Sequence, residues 1–248
     1  MNCKNCGHTI NGNFCSECGQ HSKVGRITLS SFLNEVSESI FQIDKGFFFT
    51  IYELFVRSGN SLNEFLNGKR KNHFKPIAFV LTLSTFYFLI TQITDQNTWI
   101  DDLLTGWTNG ATGETDNSQV PSILNWFSKN YAYSTLILLP VFSLASYLSF
   151  LKFDKNYLEH IVINSYITGQ QAIFYSFFAF IGNYIESDFV EIFSLLIAVF
   201  YAFLVFWQIF SNGKQIKIIY RSILTYVLYW IFSFALLIAI MGIQTMLN

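Results

Sequence analysis

An all-α integral membrane protein with a small metal-binding head is the fold class this chain predicts, on three observations. Hydrophobic residues fill 52% of its 248 positions and charged ones only 12%, against roughly 25% charged in ordinary soluble domains. Five stretches are free of formal charge, apart from Glu191 marking the start of the fourth, and each can cross about 30 Å of hydrocarbon, which takes ~20 helical residues. All four cysteines fall within the first eighteen positions, as two C-x2-C pairs. Three regions follow: a ribbon at 1–22, an amphipathic helical linker at 27–75, and a transmembrane bundle at 76–248.

The ribbon reads C-K-N-C-G and then C-S-E-C-G, with eight residues between Cys6 and Cys15. Each glycine permits the left-handed turn that a metal knuckle needs. Cys3, Cys6, Cys15 and Cys18 can close a four-thiolate tetrahedron around one Zn²⁺. Four protein ligands leave no open position, so that ion is expected to be structural. A redox dithiol or an iron site are the other readings of the same spacing. The N-terminal stretch carries cysteines and polar residues where an export signal has an apolar core, so no cleaved signal is predicted.

In the linker, Ser30 is placed to cap a helix with Phe32, Leu33, Val36, Ile40 and Ile43 on one face. Residues 46–56 are nearly all apolar or aromatic yet too short to span. A capping box, Ser61-x-x-Glu64, is expected to open a short amphipathic turn stopped by Gly68. Short amphipathic helices beside a basic cluster lie in the membrane interface; a small soluble helical domain would hide the same faces against itself. The basic run Lys69, Arg70, Lys71, His73 and Lys75 has two readings as well. It either orients the first span or contacts anionic lipid headgroups, each cation adding about 1 kcal/mol. The ribbon and the bundle are expected to share few contacts.

The five spans are 76–94, 131–151, 161–185, 191–209 and 222–247. Basic residues cluster before the first span, between the second and third, and between the fourth and fifth. The other two connections are acidic, with only Lys129 basic on that side. By the positive-inside rule the N-terminus and ribbon are cytoplasmic and the C-terminus is outside, in a bacterial inner membrane. The connection 95–130 reads as a flexible polar loop with Trp99, Trp107 and Trp126 resting at the interface. Along the third span Tyr157, His160, Asn164, Thr168, Gln171 and Tyr175 recur at helical spacing and form one polar face. Polar faces in hydrocarbon turn inward, either for interhelical hydrogen bonding or to line a pathway.

The ribbon ending in C-G-Q, the triplet Arg26-Ile27-Thr28, the stretch D-K-G-F-F-F-T-I-Y-E-L-F at 44–55 and G-K-R-K-N-H-F-K-P at 68–76 together carry a resemblance. With Tyr157-Leu158-Glu159-His160, they resemble an uncharacterised bacterial family of zinc-ribbon multi-pass membrane proteins, the domain of unknown function DUF3667. Where the family has a proline before the glycine, this chain reads Arg57-Ser58-Gly59, which implies a less rigid turn. The resemblance implies architecture and no catalytic residue.

Function is expected to be non-enzymatic, since no H-E-x-x-H, G-x-S-x-G or P-loop motif occurs. The leading expectation is an adaptor or regulatory protein whose ribbon docks a protein partner. The alternative is small-solute or lipid transport along the polar faces of spans three to five. A net charge of −1 predicts no nucleic-acid partner.

Overall fold

The computed structural model describes residues 1–29, 31–32, 45–112, 122–185, 188–211 and 215–247. The secondary structure named within them is helical: α1 (Lys45–Val56), α2 (Ser58–Leu66), α3 (Pro76–Ile93), α4 (Trp99–Thr112), α5 (Ser122–Lys129), α6 (Tyr131–Ser149), α7 (Tyr157–Gly182), α8 (Asp188–Ile209) and α9 (Gln215–Leu247). No strand longer than an isolated bridge occurs among the described residues.

Four helices are long and apolar enough to cross a membrane: α3, α6, Phe189–Ile209 of α8 and Gln215–Ile240 of α9. The expected third span is α7. At 26 residues it is roughly 39 Å long at 1.5 Å per residue, but buried His, Asn, Ser and Gln side chains lower its hydropathy. The five expected spans are thus four apolar helices and one polar helix. The acidic break expected between the third and fourth spans does separate two helices, α7 and α8. Glu186 itself lies outside the described residues.

α7 is the centre of the bundle. It packs against α1, α3, α6 and α8, and α9 closes on α6 and α8. Lipid is as apolar as a leucine side chain, so close packing and interhelical hydrogen bonds hold such helices together. Gly169 illustrates the packing, because a Cβ there would come within 2.5 Å of the Phe79 ring. α9 has only 6% of its apolar window buried and turns most of its surface to lipid.

Local signals explain most boundaries. Lys75 is extended ahead of Pro76, which opens α3 at its first turn. Asn156 caps α7 in a reciprocal box with Glu159. The box expected at Ser61 and Glu64 does not form. α2 already starts at Ser58, Ser61 lies inside it, and its hydroxyl meets His73 Nε2 at 2.8 Å.

The helix expected from Ser30 falls largely outside the described residues, Leu33, Val36, Ile40 and Ile43 included. Its first turn is tied by Thr28 and Ser31, with the Thr28 N–H donating to Ser31 Oγ at 3.0 Å. Phe32 packs against the core. The expected loop at 95–130 contains α4 and α5 instead. Thr98 and Asp101 cap α4, Ile100 and Phe127 are buried, and Trp99 Nε1 donates to Tyr131 Oη at 2.7 Å. Trp99 is therefore tied into the packing of the helices.

Candidate metal centre and its docking onto the bundle

The two knuckles repeat one backbone pattern. Cys3 N–H donates to the His8 carbonyl and Gly7 N–H to the Cys3 carbonyl. Cys15 N–H donates to Gln20 and Gly19 N–H to Cys15 in the same way. Gly7 (φ +79°) and Gly19 (φ +70°) sit in the left-handed region that their lack of a Cβ permits. The four sulfurs lie within 4.8 Å of one another, with Cys3–Cys18 and Cys6–Cys15 at 3.5 Å. Tetrahedral bonds of about 2.3 Å require sulfur–sulfur edges of ~3.8 Å, so the four thiols fit one metal ion. The Cys6 amide holds the Cys3 thiol low, at about 7, and the Cys18 amide lowers Cys15. Thiolate is the ligand form.

This ribbon is fastened to the linker, at the turn that follows α2. Gln20 is 5% exposed. Its Nε2 donates to the Gly68 carbonyl at 2.9 Å, and its Oε1 accepts from the N–H of Arg70 (3.1 Å) and of Lys71 (3.3 Å). Gly68 has φ +108° and lies so close to the ribbon that a Cβ would come 2.7 Å from Lys4 Cδ. Arg70 reaches back to the Gly25 carbonyl at 2.9 Å while its guanidinium covers the Phe65 ring.

A second fastening follows at once in sequence. Arg26 donates from Nε and Nη2 to both oxygens of Glu159, at 3.2 and 3.0 Å, and also pairs with Asp154. Glu159 is 4% exposed and accepts the Asn156 N–H that completes the α7 cap. The buried carboxylate raises the Arg26 pKa further, through its hydrogen bonds and then its charge. Asn156 Nδ2 donates to the Ile27 carbonyl at 3.1 Å.

The segment that receives the ribbon shares the core of the bundle. Phe47, Leu54, Leu62, Phe65 and Phe74 are buried with Phe79 and Tyr166, and Tyr166 Oη donates to the Phe74 carbonyl at 2.6 Å. Residues 44–88 match the model of a family described as a protein of unknown function (DUF3667). The DUF3667 match covers α1, α2 and most of α3, and does not reach the ribbon. No curated protein and no solved structure matches the chain.

Within that segment the residues of the basic run make separate contacts. Lys69 pairs with Glu64 at 3.3 Å, Arg70 turns toward the ribbon, and Lys71 stays exposed beside Gly19. His73 is buried between the Phe49 and Phe65 rings, and burial lowers its pKa. Lys75 is half-buried at the start of α3. The Arg57-Ser58-Gly59 turn is held by α8, where Gln208 Oε1 accepts from the Gly59 N–H at 2.7 Å and from Ser58 Oγ at 3.2 Å.

The polar face of α7 divides in two. Its ribbon-side half is hydrogen-bonded packing. Tyr157 Oη donates to the Pro140 carbonyl, His160 Nδ1 meets Ser146 Oγ at 2.9 Å, and Asn164 Nδ2 donates to Ser146 Oγ at 2.7 Å. Its far half opens on space. Thr168, Gln171 and Tyr175 line a cavity of about 150 Å³, with Gln171 Nε2 bonded to the Ala198 carbonyl at 2.8 Å.

Gln20 and Arg26 entered the sequence reading only within the family resemblance, with no role, and Ser146 did not enter it. Asp154 and Glu159 offered a signal for Arg26, being the acidic residues in the otherwise basic connection before α7. Gln20 had none beyond the C-G-Q ending, and Ser146 had none.

Proposed function

We propose that this chain is a non-enzymatic adaptor of the bacterial inner membrane, whose zinc ribbon is a partner-docking platform held rigidly on the cytoplasmic face. The observation that carries the reading is the double fastening through Gln20 and Arg26. A partner seated on the ribbon would be fixed in orientation to the whole bundle, which a tethered, freely moving ribbon could not achieve. Phe14, 63% exposed and edge-on to His21, supplies an apolar contact on the free side. Four thiolates suit Zn²⁺, which would stiffen the platform without taking part in a reaction.

A photo-crosslinking residue at position 14, used in cells, tests the platform. A discrete adduct that vanishes in Cys15→Ser supports docking, whereas an unchanged adduct in that variant refutes it. Orientation is tested separately. Reporter fusions after Asn117 and at Asn248 should both report the outside face, and a cytoplasmic signal at Asn248 would reverse the assignment of the last helix.

Small-solute or lipid transport is the second reading, favoured by the cavity beside Thr168 and Gln171. It requires that Gln171 substitutions abolish flux in reconstituted vesicles while ribbon substitutions leave flux intact.

A further inference from the structure

We propose that a second, larger cavity, at the end of the bundle away from the ribbon, binds an organic ammonium ion between the Asp102 and Glu191 carboxylates and a wall of aromatic rings. This inference is independent of the adaptor reading, since no ribbon residue takes part.

The cavity holds about 610 Å³ and lies half-open between the far ends of α3, α4, α7, α8 and α9. That volume falls in the range of small-molecule sites, about 300–1,000 Å³. Trp99, Trp230, Tyr87 and Tyr175 contribute rings to its wall, and Asp102 and Glu191 contribute carboxylates. Two anions thus line one aromatic space that no lysine, arginine or histidine among the described residues lines.

The neighbouring acid shows what a satisfied carboxylate looks like here. Asp101 accepts from the Thr98 N–H, from Thr98 Oγ1 and from Ser128 Oγ, and is used up in the α4 cap. Asp102 lies outside that cap: it lines the cavity beside Asn97, whose side chain hydrogen-bonds it, and stays exposed. Partial desolvation, and then the Glu191 charge, push its carboxyl up to about 6. Electrostatics therefore favour an incoming cation, and aromatic faces favour one with a diffuse, weakly hydrated charge. Rings that surround an alkylammonium head are a recurrent solution to that problem. A compact hydrated metal ion would gain nothing from four ring faces.

The cavity is a blind site and not a pore. It adjoins the space beside Thr168 and Gln171, with Trp99, Tyr175 and Trp230 lining both. Beyond that space Ser143, Ser146, His160 and Asn164 are all fully buried and joined by hydrogen bonds. An alkyl chain can lie toward Tyr226 and Tyr229 while the ammonium head stays with the carboxylates. The same head chemistry belongs to a free amine or to an ethanolamine phospholipid.

The test uses the full chain in phosphatidylglycerol nanodiscs, with hexyltrimethylammonium as probe and tryptophan fluorescence as readout. Saturable binding is expected, at least tenfold tighter than that of hexanol or hexanoate. Asp102→Asn and Glu191→Gln should each weaken it tenfold or more without changing the melting temperature. Trp230→Leu should weaken it and reduce the fluorescence response. Equal binding of hexanol, or unchanged affinity in both carboxylate variants, would overturn the proposal. Adding phosphatidylethanolamine to the nanodisc distinguishes the sources. Competition with the probe assigns a lipid head group, and undiminished binding assigns a free amine.

Discussion

Gln20 closes three backbone hydrogen bonds on the turn that begins at Gly68, so the second metal knuckle and the α2–α3 connection form one surface. One buried side-chain amide bonds three backbone groups of that turn. Removing it takes one partner from each of them, at about 1–3 kcal/mol for each group that neither water nor another atom then satisfies.

Gln20→Ala should therefore loosen the turn without releasing the metal, because Gln20 contributes only its carbonyl to the knuckle. Hydrogen exchange across residues 66–72 should rise while bound metal stays at one ion per chain. Unchanged exchange would mean that the contact carries no stability.

Metal removal should travel further than the ribbon. Cys15→Ser should release the ion, and the Gly68 turn and the Gly25–Ile27 strap should then become more open to exchange and proteolysis, with the bundle still inserted. A metal-free variant with wild-type protection at 66–72 would show that the fastening does not depend on the ion.

His73 should make the α1–α2 corner sensitive to acid. Burial holds its pKa below the usual value of 6.5, despite the opposing pull of Glu53 and Glu64. Below about pH 6.5 the unfolded segment takes up a proton that the folded one resists, so stability falls as pH drops through that value. Above it the folded and unfolded states are both neutral and the dependence vanishes. His73→Gln should flatten the melting temperature between pH 7 and pH 5, and a persisting slope would place the sensitive group elsewhere.

The two halves of the α7 polar face should differ in water access. Cysteine at Asn164 should be protected from a water-soluble thiol reagent, while cysteine at Gln171 should label, each measured against the labelling of the metal-loaded ribbon alone. Gln171→Leu should cost only about 0.6 kcal/mol of stability, the average for a hydrogen bond between membrane helices. Protection at both positions would mean that the space beside Gln171 is dry.

What could be read in the sequence was whatever one residue type dictates locally. The cysteine pairs, the proline that opens α3 and the uncharged stretches each carry their own geometry. The α7 stripe was legible as a face because helical spacing alone defines it. Its division into a packed and an open half was not, since that depends on Ser146 and Ala198 arriving from other helices. The Ser61 box failed because a start at Ser58, fixed by Gln208, overrides the local capping preference. Ribbon docking was hidden for the same reason, since Gln20 and Arg26 are ordinary polar residues until Gly68 and Glu159 are brought to them.

Arg26 and Glu159 are 133 positions apart, which imposes an order on biosynthesis. The ribbon can load metal as soon as its thiols leave the ribosome, and the Gly68 turn emerges soon after. Its second anchor does not exist until the first turn of α7 has been made. Chain-closure entropy grows only slowly with length, so the delay is one of synthesis and not of search. The Arg26–Glu159 pair can therefore close only on a chain translated at least as far as the central helix. Truncated products that end before it would display an unlatched ribbon, a feature by which quality-control proteases could tell them from finished molecules.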